Sequence, residues 1–280
     1  MICVTLHNIN RAHFGHYLEM NRQSPGTRIR FRDALFGVYA WIVFGGCILL
    51  GLLVALLVPG PGRRYRYLAA IARAIFVLSR VPIDVRGLDN VPEGHSVVVA
   101  NHASYVDGFL LKGYLPARYS FVIKGEMRNI WFVHFLLRRA GSRFVERFEA
   151  GGSTRDARKI IMAAKDGESL TFFPEGTFIK EPGVGRFRAG AFVSAIKGAM
   201  PVVPIAISGT RAMLPSEQHL PRPVPLRIDI LPPIMPDDPA FEDHKVLAEM
   251  ARQQILDVLD EPDLCAHGTS GSATRGEDQS

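Results

Sequence analysis

Residues 97–111 read VVVANHASYVDGFLL. Four small apolar residues in succession, Val97 to Ala100, describe a strand covered on both faces, because a half-exposed strand would alternate apolar with polar. The run breaks into Asn101, His102 and Ser104, and a helical stretch follows through Phe109 to Leu115. The same alternation continues downstream. YSFVIK (119–124), SRFVER (142–147), SLTFFPEG (169–176), PVVPIAISG (201–209) and PLRIDILPPI (225–234) read as strands. Ile130–Ala140, TRDARKIIMAAKDG (154–167), GAFVSAIKGA (190–199) and DHKVLAEMARQQILDVLD (243–260) read as helices. Strands separated by helices of about ten residues predict an α/β domain with a largely parallel, mixed sheet covered by helices.

The polar break admits two readings. Ser104 as helix cap with Asp107 three residues on is close to a capping box, and Asp107 would then satisfy backbone N–H groups and complement the helix dipole. That reading leaves His102 unexplained. Five residues apart on one helix, His102 and Asp107 would point about 140° away from each other. A strand-to-helix turn removes the obstacle: His102 folds back over the first helical turn, one ring nitrogen on the carboxylate and the other toward solvent or substrate, as an oriented general base requires.

Two weaker signals follow. Glu175, Gly176 and Thr177 stand just after a strand, where an ordinary turn and an oxyanion- or phosphate-holding turn read alike. Arg147 stands at a strand end, as suited to solvent as to an anion.

Taken together and in order, these residues resemble the glycerolipid acyltransferase family, typified by 1-acyl-sn-glycerol-3-phosphate acyltransferases. Asn101-His102-x-Ser104-x-x-Asp107 corresponds to its NHxxxxD box, Gly141-x-x-Phe144-x-x-Arg147 to its second block, Phe173-Pro174-Glu175-Gly176-Thr177 to its FPEGT box and Val203-Pro204-Ile205 to its fourth. Lys124-Gly125-Glu126-Met127 and Phe187-Arg188-x-Gly190 match subsidiary motifs, and the resemblance runs from about Val85 to Pro232. It implies that His102, held by Asp107, deprotonates an acceptor hydroxyl that attacks the thioester of acyl-CoA or acyl carrier protein, with no acyl-enzyme, metal or bound cofactor. Glu175, Gly176 and Thr177 would position a lysolipid acceptor, with Arg147, Lys124 and Arg188 available to its anion. Many relatives acting on lysophosphatidate carry Arg after the FPEGT box, and this chain has Phe178. The expected acceptor is 1-acylglycerol-3-phosphate, giving phosphatidate. The alternatives are another lysophospholipid, a lyso-ornithine lipid, or no reaction at all in a membrane lipid-binding protein.

Composition bounds these readings. The chain has 280 residues, 48% hydrophobic and 21% charged, and a formal net charge of +6, which favours an anionic partner. Its three cysteines, Cys3, Cys47 and Cys265, lie far apart with no CxxC spacing, so neither a disulfide framework nor a zinc site is indicated and a reducing compartment is expected. There is no G-x-S-x-G nucleophile elbow and no Walker motif, and GVGRFR (183–188) lacks the third glycine of a dinucleotide loop.

The segment ALFGVYAWIVFGGCILLGLLVALLVPG (34–60) contains no Asp, Glu, Lys or Arg and is long enough as a helix to cross a hydrocarbon core of about 30 Å. Arginines flank it on both sides, so the positive-inside rule selects no orientation, and Gly45-Gly46 leaves a re-entrant hairpin open beside a single span. The arginines around an apolar anchor suit membrane phospholipids rather than nucleic acid. The expected organisation is an N-terminal extension (1–33) that is partly disordered, with Met20 an alternative start, then the membrane-embedded segment (34–62), an acyltransferase domain (63–262) and a disordered tail (263–280). A bacterial inner membrane with the catalytic domain in the cytoplasm is the expected location.

Overall fold

The computed structural model describes residues 31–145, 152–178, 181–216 and 218–265. Arg147, Cys3, Met20 and the stretch after Cys265 therefore lie outside the described residues.

Seven strands form one sheet: β1 (Ile83–Arg86), β2 (Val97–Ala100), β3 (Ser120–Lys124), β4 (Arg143–Val145), β5 (Leu170–Phe172), β6 (Val202–Ser208) and β7 (Leu226–Ile230). Their spatial order is β1-β7-β6-β2-β5-β3-β4. Every pairing is parallel except β6 with β7, which is antiparallel. The sheet is thus mixed and largely parallel, as the alternation predicted. β1 is an addition to that reading: four residues with two acidic or basic side chains, IDVR, carry too little apolar signal to be read as a strand, and it forms at the sheet edge by pairing with β7.

Residues Val97 to Ala100 are all fully buried, and the pleat divides them. Val97 and Val99 enter one core, with Leu170, Phe192, Leu247 and Ile255. Val98 and Ala100 enter the other, with Leu110, Leu111, Ile205 and Ile228. The first core is closed by helices α5 (Gly152–Lys165), α6 (Gly190–Gly198) and α8 (His244–Val258), the second by α2 (Pro61–Leu78) and α3 (Val106–Tyr114). α4 (Trp131–Arg139) and the single turn α7 (Thr210–Met213) complete the domain. Gly113 lets α2 and α3 approach closely, since a Cβ there would meet the Arg73 backbone nitrogen at 2.8 Å. α8 is capped by Asp243, whose carboxylate accepts from the Lys245 amide at 2.7 Å.

The apolar segment is α1 (Phe31–Leu57), one unbroken helix of 27 residues running straight through Gly45 and Gly46. It is about 40 Å long at 1.5 Å per residue. The chain reverses beyond it, at Val58–Gly60, with Gly60 at φ 75°. A mid-segment hairpin is therefore not formed: the two glycines face open space, and nothing forces the helix to break. α1 buries one stripe, Gly37, Ala40, Cys47, Gly51 and Ala55, and leaves Leu35, Ile42, Leu49, Leu53 and Leu56 exposed. It is the one described helix long and apolar enough to cross a membrane by length and composition.

The stretch after α1 is not a free amphipathic helix. α2 is sandwiched between α1 and the domain, and the flanking Arg64 is buried, donating to the carbonyls of Arg139 (2.8 Å) and Val58 (3.4 Å). Arg139 donates in turn to the Ala55 carbonyl at 2.6 Å. At the other terminus, Asp263 receives a two-pronged contact from Arg252 at 2.9 Å to each carboxylate oxygen, so the ordered domain continues past the expected boundary at 262.

Candidate active site

The site is built at the carboxyl end of β2, where the chain leaves the buried sheet. Asn101 is the first residue past the strand. Its side chain donates to the Ile207 carbonyl (3.0 Å) and accepts from the Ile207 amide (2.7 Å), taking the place of the next rung of the β2–β6 ladder. The next residue is thereby released from the sheet at a fixed point.

His102 turns back over the start of α3, and its Nδ1 lies 2.9 Å from Asp107 Oδ2. The same carboxylate oxygen accepts from the Ala103 and Ser104 amides at 2.7 and 2.8 Å. The capping and the orienting readings are therefore both realised by one oxygen. Asp107 is fully buried, and its Oδ1 has no partner among the described residues. Three donors converging on one oxygen fix the carboxylate in place. Ser104 takes part in the cap as expected: its hydroxyl oxygen accepts from the Val106 amide at 3.4 Å, and its own amide donates to Asp107. The helix begins at Val106, and the Ser104 hydroxyl donates to the Leu214 carbonyl at 2.8 Å, tying the turn to the loop after α7.

Phe173 stacks on the His102 ring with centroids 4.3 Å apart. Phe178 meets the ring edge-on at 4.8 Å and touches Tyr105 at 4.7 Å. The imidazole is thus held on one face and one edge by aromatic carbon, with its Nδ1 on the carboxylate and 19% of its side-chain surface exposed. Neither aromatic contact was legible beforehand, although Phe173 and Phe178 bracket the Pro-Glu-Gly turn that was.

Glu175 is placed differently from the expected acceptor contact. Its Oε1 accepts from the His102 backbone amide (2.8 Å) and its Oε2 from the Gly185 amide (2.9 Å). Burial pushes its carboxyl above the usual value, while those two amides and the nearby imidazole pull it back down. Both carboxylate oxygens of Glu175 are thus engaged by backbone amides, which clasps the His102 turn to Gly185. Gly176, at φ 83°, closes the turn with its amide on the Phe173 carbonyl at 3.0 Å, and Thr177 beyond it is exposed.

Lys124 ends β3, in register with Val145 of β4. Arg188 is exposed at the entrance of α6 and lines a cleft of about 410 Å³ together with Phe173, Pro174 and Ser194. A second cavity, about 150 Å³ and almost wholly apolar, lies between α1, α2 and α3, lined by Cys47, Gly51, Ile71, Gly108 and Phe109 among others. Sequence reasoning did not find it, because its walls come from five separate elements, α1, α2, α3, β3 and α4. Among the described residues no group of His, Cys, Asp and Glu converges as a metal site.

Fold and site together define a class: an α/β domain that presents a carboxylate-held histidine at the carboxyl edge of a parallel strand, beside an apolar recess. Residues 82–208 match the model of the family described as Acyltransferase. Among its relatives are "1-acyl-sn-glycerol-3-phosphate acyltransferase BAT2, chloroplastic" of Brassica napus, 28% identical over 204 residues that make up 69% of this chain and 58% of the relative. The 1-acyl-sn-glycerol-3-phosphate acyltransferase of Saccharomyces cerevisiae is 24% identical over 239 residues, 83% of this chain and 79% of the relative. The chain spans a little over half the length of the two chloroplastic relatives it matches. The fold is shared with the crystal structure of the 1-acyl-sn-glycerophosphate (LPA) acyltransferase PlsC from Thermotoga maritima. That likeness has a TM-score of 0.67 at 24% identity and covers 82% of this chain and 97% of the other.

Proposed function

We propose that the protein is a membrane-associated O-acyltransferase that moves a fatty acyl group from acyl-CoA or acyl carrier protein to the hydroxyl of a lysolipid, most suitably 1-acylglycerol-3-phosphate, giving phosphatidate. The observation that carries this reading is the 2.9 Å contact between His102 Nδ1 and Asp107 Oδ2. With Nδ1 engaged, the remaining ring nitrogen is the one available to take a proton from the acceptor hydroxyl. The buried carboxylate stabilises the imidazolium that forms. As the alkoxide attacks the thioester carbonyl, the proton passes from His102 to the departing thiolate, so no acyl-enzyme is required. Arg188 and Lys124 supply positive charge for an acceptor phosphate or a donor phosphopantetheine, and Arg147, outside the described residues, is a further candidate.

α1 supports a membrane location, with its stripe of small residues against the domain and its leucines facing outward. In this reading the enzyme serves phospholipid biosynthesis at a bacterial inner membrane with the domain in the cytoplasm. Phe178 favours a second acceptor class. It sets an uncharged ring against His102 and Tyr105 where many relatives have Arg, so a lysolipid without a phosphomonoester is the alternative substrate.

Purified protein assayed with palmitoyl-CoA and a panel of lysophosphatidate, a larger-headgroup lysophospholipid and lyso-ornithine lipid tests the proposal. Release of free CoA with phosphatidate formed fastest supports it, and no CoA release with any acceptor sinks it. In the same panel Arg147→Ala should weaken lysophosphatidate selectively, by about ten- to a hundredfold in kcat/KM. Carbonate washing of membranes should leave the full chain in the pellet.

A further inference from the structure

The chain that leaves α8 turns back and lies along the loop that Glu175 grips. Val184 donates to the Pro262 carbonyl at 3.0 Å and accepts from the Leu264 amide at 3.2 Å, a short parallel bridge. The approach is close: a Cβ on Gly183, at φ 140°, would lie 2.5 Å from Leu264 Cγ. The buried Arg252 of α8 pins this segment through Asp263.

Within the segment, Glu261 makes contacts in two directions. Its Oε2 accepts from the Gly183 amide at 2.8 Å. The same oxygen accepts from Arg211 Nη2 at 3.1 Å, and Oε1 accepts from Arg211 Nε at 3.3 Å. Three donors converge on one side chain, and a carboxylate, which carries acceptors only, suits all three.

Each direction leads to the catalytic turn. Two residues past Gly183, the Gly185 amide is held by Glu175, whose other oxygen holds the His102 amide. Arg211 stands on α7, and Leu214, directly after that helix, accepts from the Ser104 hydroxyl. His102 and Ser104 are thus braced by separate pieces of chain, and Glu261 joins the two braces. Burial raises the Glu175 carboxyl and the Glu261 charge adds to it, so the two carboxylates are near one another.

We propose that Glu261 is a positioning residue for acyl transfer: it holds the 183–185 loop and α7 at a fixed separation, and so fixes where His102 stands over Asp107. It acts through Glu175 on one side and Ser104 on the other. This rests on the acyltransferase reading above. A displacement of about 1 Å at a reacting group costs about a hundredfold in rate, so a bridge outside the site is felt in kcat.

Glu261→Gln keeps the length and volume of the side chain but sets an amide NH2 against one of those donors. Its kcat for CoA release should fall about tenfold or more, with KM for palmitoyl-CoA and for lysophosphatidate within about twofold of wild type. Arg211→Gln removes one arm and should fall less. The double variant should be no slower than Glu261→Gln alone, since both residues act through one bridge. Losses that multiply, a raised KM with kcat kept, or a kcat within about twofold of wild type overturn the proposal.

Amide hydrogen exchange separates positioning from simple anchoring. In Glu261→Gln a peptide covering residues 101–106 should exchange about tenfold faster or more, as the His102, Ala103 and Ser104 amides lose fixed acceptors, while β6 and α8 exchange as in wild type. Faster exchange confined to 183–185 and 261–265 would make Glu261 an anchor of the C-terminal segment alone and overturn the proposal. If Glu261→Gln does not fold, Arg211→Gln, which leaves the Gly183 bond in place, is read in the same way. Exchange needs no turnover, so a wild type inert with every acceptor sinks the acyltransferase reading while the protection of 101–106 still decides the bridge.

Discussion

The carboxylate of Glu175 grips the backbone amide of His102 at 2.8 Å across 73 residues of sequence, and with its other oxygen grips the amide of Gly185 at 2.9 Å. The turn that carries His102 is thus fastened from the turn after β5, independently of the contact that orients the imidazole ring. Glu175→Gln should break this clasp, because the new amide group presents a donor to one of two backbone donors. An expected cost of about 1 to 3 kcal/mol in stability, together with a fall in kcat, would be read from urea unfolding and CoA release on the same preparation. Unchanged stability with lost activity would mean that Glu175 touches substrate instead.

His102→Ala should abolish transfer and leave folding intact, since the ring is packed on one face and one edge only. Asp107→Asn discriminates charge from geometry. Its amide oxygen can occupy the Oδ2 position and keep the bonds from the Ala103 and Ser104 amides, but the imidazolium loses its counter-charge. Both variants should lose about 10² to 10⁴ in kcat, the range typical of general acid–base groups. A His102→Ala enzyme within a fewfold of wild type would remove the mechanism.

Asn101→Ala leaves the buried Ile207 amide and carbonyl without the partners that the side chain supplied. An unmade buried hydrogen bond costs about 1 to 3 kcal/mol, so a loss of about 2 to 4 kcal/mol is expected from the pair. Activity should fall along with stability, because the same clasp positions His102. Thermal unfolding and initial rates of one sample check both.

Lys112 carries its ammonium into the wall of the apolar cavity between α1, α2 and α3, 3.4 Å from the Ala140 carbonyl and over the rings of Tyr65 and Phe121. Burial lowers its pKa from 10.5 to about 8. Between those values the unfolded chain holds the proton and the folded one has released it, so this group makes stability rise with pH across that window and penalises folding below about pH 8. Lys112→Met should raise stability at pH 7 and flatten the difference between pH 8 and 10.5, as measured by urea midpoints of the two proteins across the range. An identical pH profile in the variant would show that Lys112 does not titrate there.

Local pattern was enough for much of this molecule. Val97 to Ala100 announces a strand buried on both sides, Asp243 announces the start of α8, and the charge-free run after Asp33 announces a long helix. These are properties of neighbouring residues, set by side-chain periodicity and backbone hydrogen bonding. β1 was missed because IDVR has no such pattern and exists as a strand only through β7. The hairpin that Gly45-Gly46 left open beside a single span does not form, since in a continuous apolar helix the backbone is already satisfied internally and glycine costs only about 1 kcal/mol.

At the site, residue types and spacing named His102 and Asp107, and the turn geometry they require was inferable from the distance between them. What Glu175 does was not. Its two backbone contacts depend on His102 and Gly185, which lie far from it in sequence and come within reach only on folding, helped by the pairing of β2 with β5. The apolar cavity between α1, α2 and α3 likewise exists in no single segment. It forms where α1 and α2 lie across α3, with Gly51 and Gly108 in its wall. The chemistry was written locally because a proton relay needs two side chains a turn apart; the enclosure was not, because an apolar cavity is a property of packed surfaces that the chain brings together only on folding.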